Sequence, residues 1–91
     1  MKVQWAERAF LDLEDLLGFI ATDNLEAASR LQAKVLRKTD RLARFPGLGP
    51  VSLEAGEPFR EGLVKPLRIL YLHEDEVVTV VSVYREEADL R

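Results

Sequence analysis

The chain has 91 residues and a net charge of −3 from 13 basic and 16 acidic side chains, so it is one small domain, of a size that buries only about 60–65% of its unfolded surface, and a nucleic-acid partner is disfavoured unless a local basic patch exists. It contains no cysteine and a single histidine, His73, which excludes a disulfide framework, a thiolate metal centre and a zinc site of ordinary ligand number, and no cofactor is expected. No apolar run approaches the ~20 residues of a membrane span and Met1 to Trp5 hold no signal-peptide core, so a cytoplasmic protein without membrane contact is the expectation.

"MKVQW" alternates, with Val3 and Trp5 on one side, and predicts a short first strand at a sheet edge. From Ala6 the period changes. Ala9, Leu13, Leu16 and Ile20 recur at spacings of four, three and four, the stripe of an amphipathic helix. "TDN" at 22–24 breaks it, and Asp23 followed by Glu26 reads as a capping box for a second helix running to about Arg44. Ala28, Leu31, Val35 and Leu42 form its stripe. The short link makes the two helices an antiparallel hairpin. "FPGLGP" ends the second helix. A loop over 46–58 follows, then strands at 59–64, 67–73 and 77–84, the last a β-branched run.

The order is therefore β-α-α-β-β-β, an α+β domain. Its helical hairpin covers one face of a small antiparallel sheet and leaves the other face free. If Glu74 and Asp75 form the last hairpin tip, Tyr71 pairs with Val78, Ile69 with Val80 and Leu67 with Ser82. Arg68 and Arg85 then share the uncovered face, while Tyr71, His73 and Tyr84 point toward the helices. Arg60, one strand earlier, would join the two arginines and make a face able to grip an anion or a carbonyl-rich backbone. Either arginine alone could equally be a strand-end residue reaching water.

These residues resemble the RelE/ParE superfamily of small toxins from type II toxin–antitoxin systems. The resemblance runs over nearly the whole chain, through Trp5, Ala9, Asp12-Leu13, Ile20, Asn24, Ala27-Ala28 and Leu42, then "FPGLG", Arg60, "LRILY" and "VVSVYRE". It implies one of two activities. In a RelE-like toxin, messenger RNA is cleaved on the ribosome without a metal. Arg68 would hold the scissile phosphate and Arg85 the developing charge, with Arg60 in support. Tyr84 or Tyr71 would be the nearby phenol and His73 the only imidazole. In a ParE-like toxin, DNA gyrase is bound and trapped, and Arg60, Arg68 and Arg85 would be target-binding residues without a catalytic set. A family member that has lost toxicity is the third reading.

Charge favours the ParE-like branch. From Phe59 onward five cations (Arg60, Lys65, Arg68, Arg85, Arg91) face seven acids (Glu61, Glu74, Asp75, Glu76, Glu86, Glu87, Asp89), a balance that repels a polyanion. Phe10, Leu17, Phe19 and Leu36 lie off the main helical stripes. They read as a wide buried face or, by the resemblance, as a groove for the antitoxin. Phe10, Leu17 and Leu36 are the expected antitoxin contacts, to a segment that orders on binding. The tail over 86–91 reads as a solubilising end.

Overall fold

Two runs with apolar residues at three- and four-residue spacing become helices, and four alternating runs become one sheet. The computed structural model describes residues 2–86. It contains β1 (Lys2–Trp5), α1 (Glu7–Asp23), α2 (Leu25–Arg44), a single 3-10 turn (Pro46–Leu48), β2 (Arg60–Val64), β3 (Leu67–Glu74) and β4 (Val77–Arg85). Arg91, Glu87 and Asp89, and with them most of the expected solubilising tail, lie outside the described residues.

The β-α-α-β-β-β order stands, with the sheet in the spatial order β1-β4-β3-β2. The strands β2, β3 and β4 form the expected antiparallel meander. The sheet is mixed rather than antiparallel, because β1 runs parallel to β4 at the edge. The whole helical hairpin lies between β1 and the meander in sequence, and a connection of that length permits parallel pairing.

One face of the sheet is buried under the helices. Ala9 and Leu13 of α1 and Leu31 and Val35 of α2 pack on Val64, Leu67, Ile69, Val80 and Val83. Val3, Trp5, Leu16 and Ile20 close the rim of this core, so Trp5 fills the corner between β1 and the helices. Leu42, Tyr71 and Val78 form a second cluster at the far end of α2. Each fully buried aliphatic side chain contributes about 1.5–3 kcal/mol. The helices are divided by Asn24 alone, whose side chain accepts from the Ala27 amide at 3.0 Å. Asp23 is the last residue of α1, so the cap is Asn24 rather than an Asp23–Glu26 box.

The β3–β4 hairpin differs from expectation in two ways. Its tip is Asp75-Glu76, with Glu74 opposite Val77. Asp75 takes a φ of 55°, a left-handed conformation that aspartate tolerates better than most residues. This moves the pairing by two residues and leaves every side chain on its expected face. The second difference changes faces. Tyr71 pairs with Val80 but Leu70 pairs with Ser82, so Val81 is an extra residue in a bulge. Beyond it Val83 turns into the core and Tyr84 turns out beside Arg68, its partner across the ladder.

Asp12 of α1 holds the bulge. Its Oδ2 accepts from the Val83 amide and from Ser82 Oγ, both at 3.1 Å. A carboxylate from the helix layer thus satisfies an amide at the irregular point of the ladder. Asp12→Ala is expected to destabilise the fold by about 1–3 kcal/mol, read as a lower urea midpoint with an unchanged denaturant slope. A stability unchanged within error would show that the bulge does not depend on this contact.

Candidate functional site

The uncovered face of the sheet is organised around Arg68. On β2, Glu61 lies opposite Leu70 and Leu63 lies opposite Arg68, so Glu61 and Arg68 are diagonal neighbours on one face. Arg68 Nη1 donates to Glu61 Oε1 and Arg68 Nη2 donates to Glu86 Oε2, each at 2.7 Å. Tyr84, placed outward by the bulge, donates its hydroxyl to Glu61 Oε2 at 3.2 Å. Ser52 Oγ, from the loop before β2, donates to the same oxygen at 2.7 Å. Both terminal nitrogens of Arg68 are therefore committed to carboxylates. An open groove of about 730 Å³ lies over the cluster, with Leu53 and Glu54 of the loop and Arg85 also on its wall.

Ionisation follows from these contacts. Glu61 is held below the ordinary carboxylate value, first by the Ser52 hydroxyl and then by the Arg68 and Tyr84 bonds, which together outweigh its partial desolvation. The Arg68 guanidinium is held further into its charged form by Glu86 and then Glu61. Desolvation, and then the Glu61 charge, push the Tyr84 phenol up. A carboxylate with a lowered folded value contributes stability above its unfolded pKa of about 4.3 and loses it as pH falls through the folded value. Wild type should therefore lose more melting temperature than Glu61→Gln between pH 6 and pH 3. Parallel losses would remove Glu61 from the acid response.

A second set of contacts pins the loop over 46–59. Tyr71, fully buried, donates its hydroxyl to the Pro46 carbonyl at 2.7 Å and accepts from the Gly49 amide at 3.0 Å. Burial holds this phenol above its ordinary value, so it serves as a neutral donor. Arg60 Nη1 donates to the Gly49 carbonyl at 2.6 Å. The loop's backbone joins β2 through Ser52 N to the Phe59 carbonyl and Glu61 N to the Pro50 carbonyl. Ser52 is thereby brought to Glu61.

The three expected arginines do not all converge: Arg68 and Arg85 line one groove, and Arg60 does not. Arg60 pairs with Tyr71 and so belongs to the helix-covered side of the sheet. Arg85 pairs with Leu67, one of the core residues, so its register position is also on that side, though the residue is exposed at the strand end. Only Arg68 stands on the uncovered face, and Tyr84 stands with it instead of pointing toward the helices. The bulge at Val81 causes the reversal for β4, and the Arg60 position follows from the β2–β3 register. His73 is exposed near the hairpin tip and Tyr71 is a core residue.

On the other side of the molecule, Leu17 lines an open groove of about 510 Å³ between the helices with Leu25, Ala28, Ser29 and Gln32. Phe10 and Leu36 are about half exposed, two turns before Leu17 on α1 and one turn after Gln32 on α2. Phe19 is exposed as well. Leu17 is also partly packed on the core.

Glu61, Ser52, Gly49 and Asp12 hold these sites together, and their roles were not evident from residue type. For Glu61 a signal existed: the two-residue turn at Lys65-Pro66 fixes the β2–β3 register and places it diagonal to Arg68. Among the described residues no cluster of three His, Asp or Glu side chains could hold a metal ion, and no helix is long and apolar enough to cross a membrane.

The chain matches the family described as ParE toxin of type II toxin–antitoxin system, parDE, over residues 3–90. No curated protein sequence matches it. Among solved structures it is similar to a chain of the chromosomal ParDE toxin–antitoxin system from P. aeruginosa, with a TM-score of 0.81 at 14% identity, covering 96% of this chain and 97% of that one. It is also similar to a copper-bound mutant toxin from Helicobacter pylori, TM-score 0.64 at 20% identity, and to a conserved hypothetical protein from the same organism, TM-score 0.60 at 22% identity. Each covers 93% of both chains. At these identities the structural likeness speaks to the fold.

Proposed function

This chain belongs to the ParE toxin family of type II toxin–antitoxin systems, and from that premise we propose that it acts by binding DNA gyrase and is neutralised by a cognate antitoxin. The observation that carries this reading is the clamp on Arg68. A ribonuclease of the RelE-like kind needs a cation free to meet the scissile phosphate and a phenol or imidazole free to move a proton. Here the one arginine that the described residues place on the uncovered face is bound by two carboxylates, and the neighbouring phenol donates to one of them. Glu61 and Glu86 would also repel an approaching phosphate. An arginine so held is a rigid, neutralised feature suited to a protein surface rather than a catalytic cation.

In this reading Arg85, exposed at the rim of the groove, is a direct contact to the target, and Arg60 and Arg68 shape the surface from within. Purified protein should inhibit gyrase supercoiling, and Arg85→Ala should weaken inhibition at least about fivefold, the size of a 1 kcal/mol contact, with an unchanged melting temperature. Inhibition unaltered by Arg85→Ala would move the contact surface away from the groove.

The antitoxin is assigned to the groove along the helical hairpin, with Phe10, Leu17 and Leu36 as apolar anchors at helical spacing. Phe10→Ala combined with Leu36→Ala should leave gyrase inhibition intact and prevent the antitoxin from relieving it. Full relief by the antitoxin in that variant would place its site elsewhere.

A further inference from the structure

An acidic chain concentrates much of its positive charge on one side of one helix. Arg30, Lys34, Arg37, Lys38, Arg41 and Arg44 fall within an arc of about 120° around α2 and span roughly 21 Å of its length. Five of the six are exposed and Lys38 is half-buried. Lys65, in the turn between β2 and β3, lines the same surface beside Lys34 and Lys38. The like charges recur at three- and four-residue spacing, an arrangement that destabilises a helix. Arg41 and Arg44 have a local reason to be there, since they sit in the last turn against the helix dipole. Arg30 has Glu26 four residues before it, and Lys34, Arg37 and Lys38 have none.

The stripe is also unneutralised. Arg30 reaches Glu26 at 3.8 Å, but among the described residues no carboxylate lies within ion-pair distance of Lys34, Arg37, Lys38, Arg41 or Arg44. Arg68, by contrast, has two partners. We infer that this face of α2 is a binding surface for the phosphate backbone of duplex DNA, separate from the groove around Arg68 and independent of whether gyrase is the target.

Three features select that occupant. An acidic protein partner would call for apolar anchors between the charges, because protein interfaces have apolar, charge-depleted centres. Within the arc the only uncharged residue is Ala27, and the exposed Leu63 of β2, beside Lys65, lies at the edge of the charges rather than between them. A single-stranded nucleic acid would call for aromatic side chains on which bases stack, and the arc has none. Between duplexes, an exposed helix face suits the wide major groove of B-form DNA and not the deep, narrow one of A-form RNA. The surface has no side chain arranged for reading bases over backbone, so binding is independent of sequence.

The test is fluorescence anisotropy of a labelled duplex DNA of about 20 base pairs titrated with the purified protein. Binding is expected at 50 mM salt, weakening about 10²- to 10³-fold by 200 mM if about five phosphates are contacted. Lys34→Gln/Arg37→Gln/Arg41→Gln should reduce the salt slope by about three and remove most of the affinity. Lys2→Gln/Arg8→Gln/Arg91→Gln removes the same charge from outside α2 and should change it far less. Circular dichroism confirms that both variants are folded. No binding at 50 mM salt, equal losses in the two triple variants, or equally tight binding of duplex RNA or polyglutamate would each overturn the assignment.

Discussion

Tyr71→Ala should be the most damaging single substitution outside the aliphatic core. The side chain is fully buried against Leu42 and Val78, and truncating a buried aromatic costs about 3–5 kcal/mol. Its hydroxyl adds a second loss, since the Gly49 amide and the Pro46 carbonyl would both be left without it, worth about 1–2 kcal/mol more. A domain of this size has only about 5–15 kcal/mol in total, and each kcal/mol moves its melting temperature by about 4–8 °C. A fall of roughly 20 °C or more is expected in a thermal melt. Tyr71→Phe separates the two contributions: it keeps the ring and should cost only about 1–2 kcal/mol. If the phenylalanine variant were as unstable as the alanine one, the hydroxyl's hold on the loop would outweigh the packing of the ring. If it were fully stable, the hydroxyl would contribute nothing.

Gly49→Ala should come next, from the same junction seen from the loop side. A Cβ there would overlap the Glu61 carbonyl oxygen and lie 2.8 Å from the Tyr71 hydroxyl. Neither neighbour can yield cheaply: one is strand backbone, and the other is held by Pro46. Overpacking of this kind costs about 1–3 kcal/mol and more where backbone must move, so about 3 kcal/mol is expected. The displaced Glu61 would also lose register with Arg68 and Ser52, and the proposed gyrase inhibition should fall along with the melting temperature. Gly47→Ala is the control, because a Cβ there meets nothing within 4 Å, and its stability should stay within about 0.5 kcal/mol of wild type. Equal stability of the two variants would mean that the loop is not tightly seated on β2.

Much of the architecture was legible because it rests on periodicity. The helix stripes, the edge position of β1 and the meander all follow from where apolar residues recur. The face of Tyr84 and Arg85 was not legible, because one extra residue in β4 reverses every position after it. Val81 and Ser82 give no sign of an irregularity in the strand, and the carboxylate bonded to it, Asp12, sits on α1. A contact 70 residues away in sequence leaves no local pattern. The hairpin tip was displaced too, by one residue, but this moves the pairing by two and so preserves faces, which is why Tyr71 was correctly placed toward the helices. The candidate site was half legible for a related reason. Arginine within a hydrophobic strand marked Arg68 as unusual. Its neutralisation depends on Glu61 and Glu86 arriving from two other segments, and in sequence they are only part of an excess of acids. The basic face of α2 was hidden by the net charge, which averages it against acids elsewhere.

The most direct test places purified protein in two assays side by side: supercoiling by DNA gyrase, and cleavage of messenger RNA on translating ribosomes. A clamped Arg68 and the proposed protein-binding surface predict inhibited supercoiling and intact messenger. Intact supercoiling with cleaved messenger, lost in Arg68→Ala, would show that the clamp opens onto a phosphate and would contradict the account.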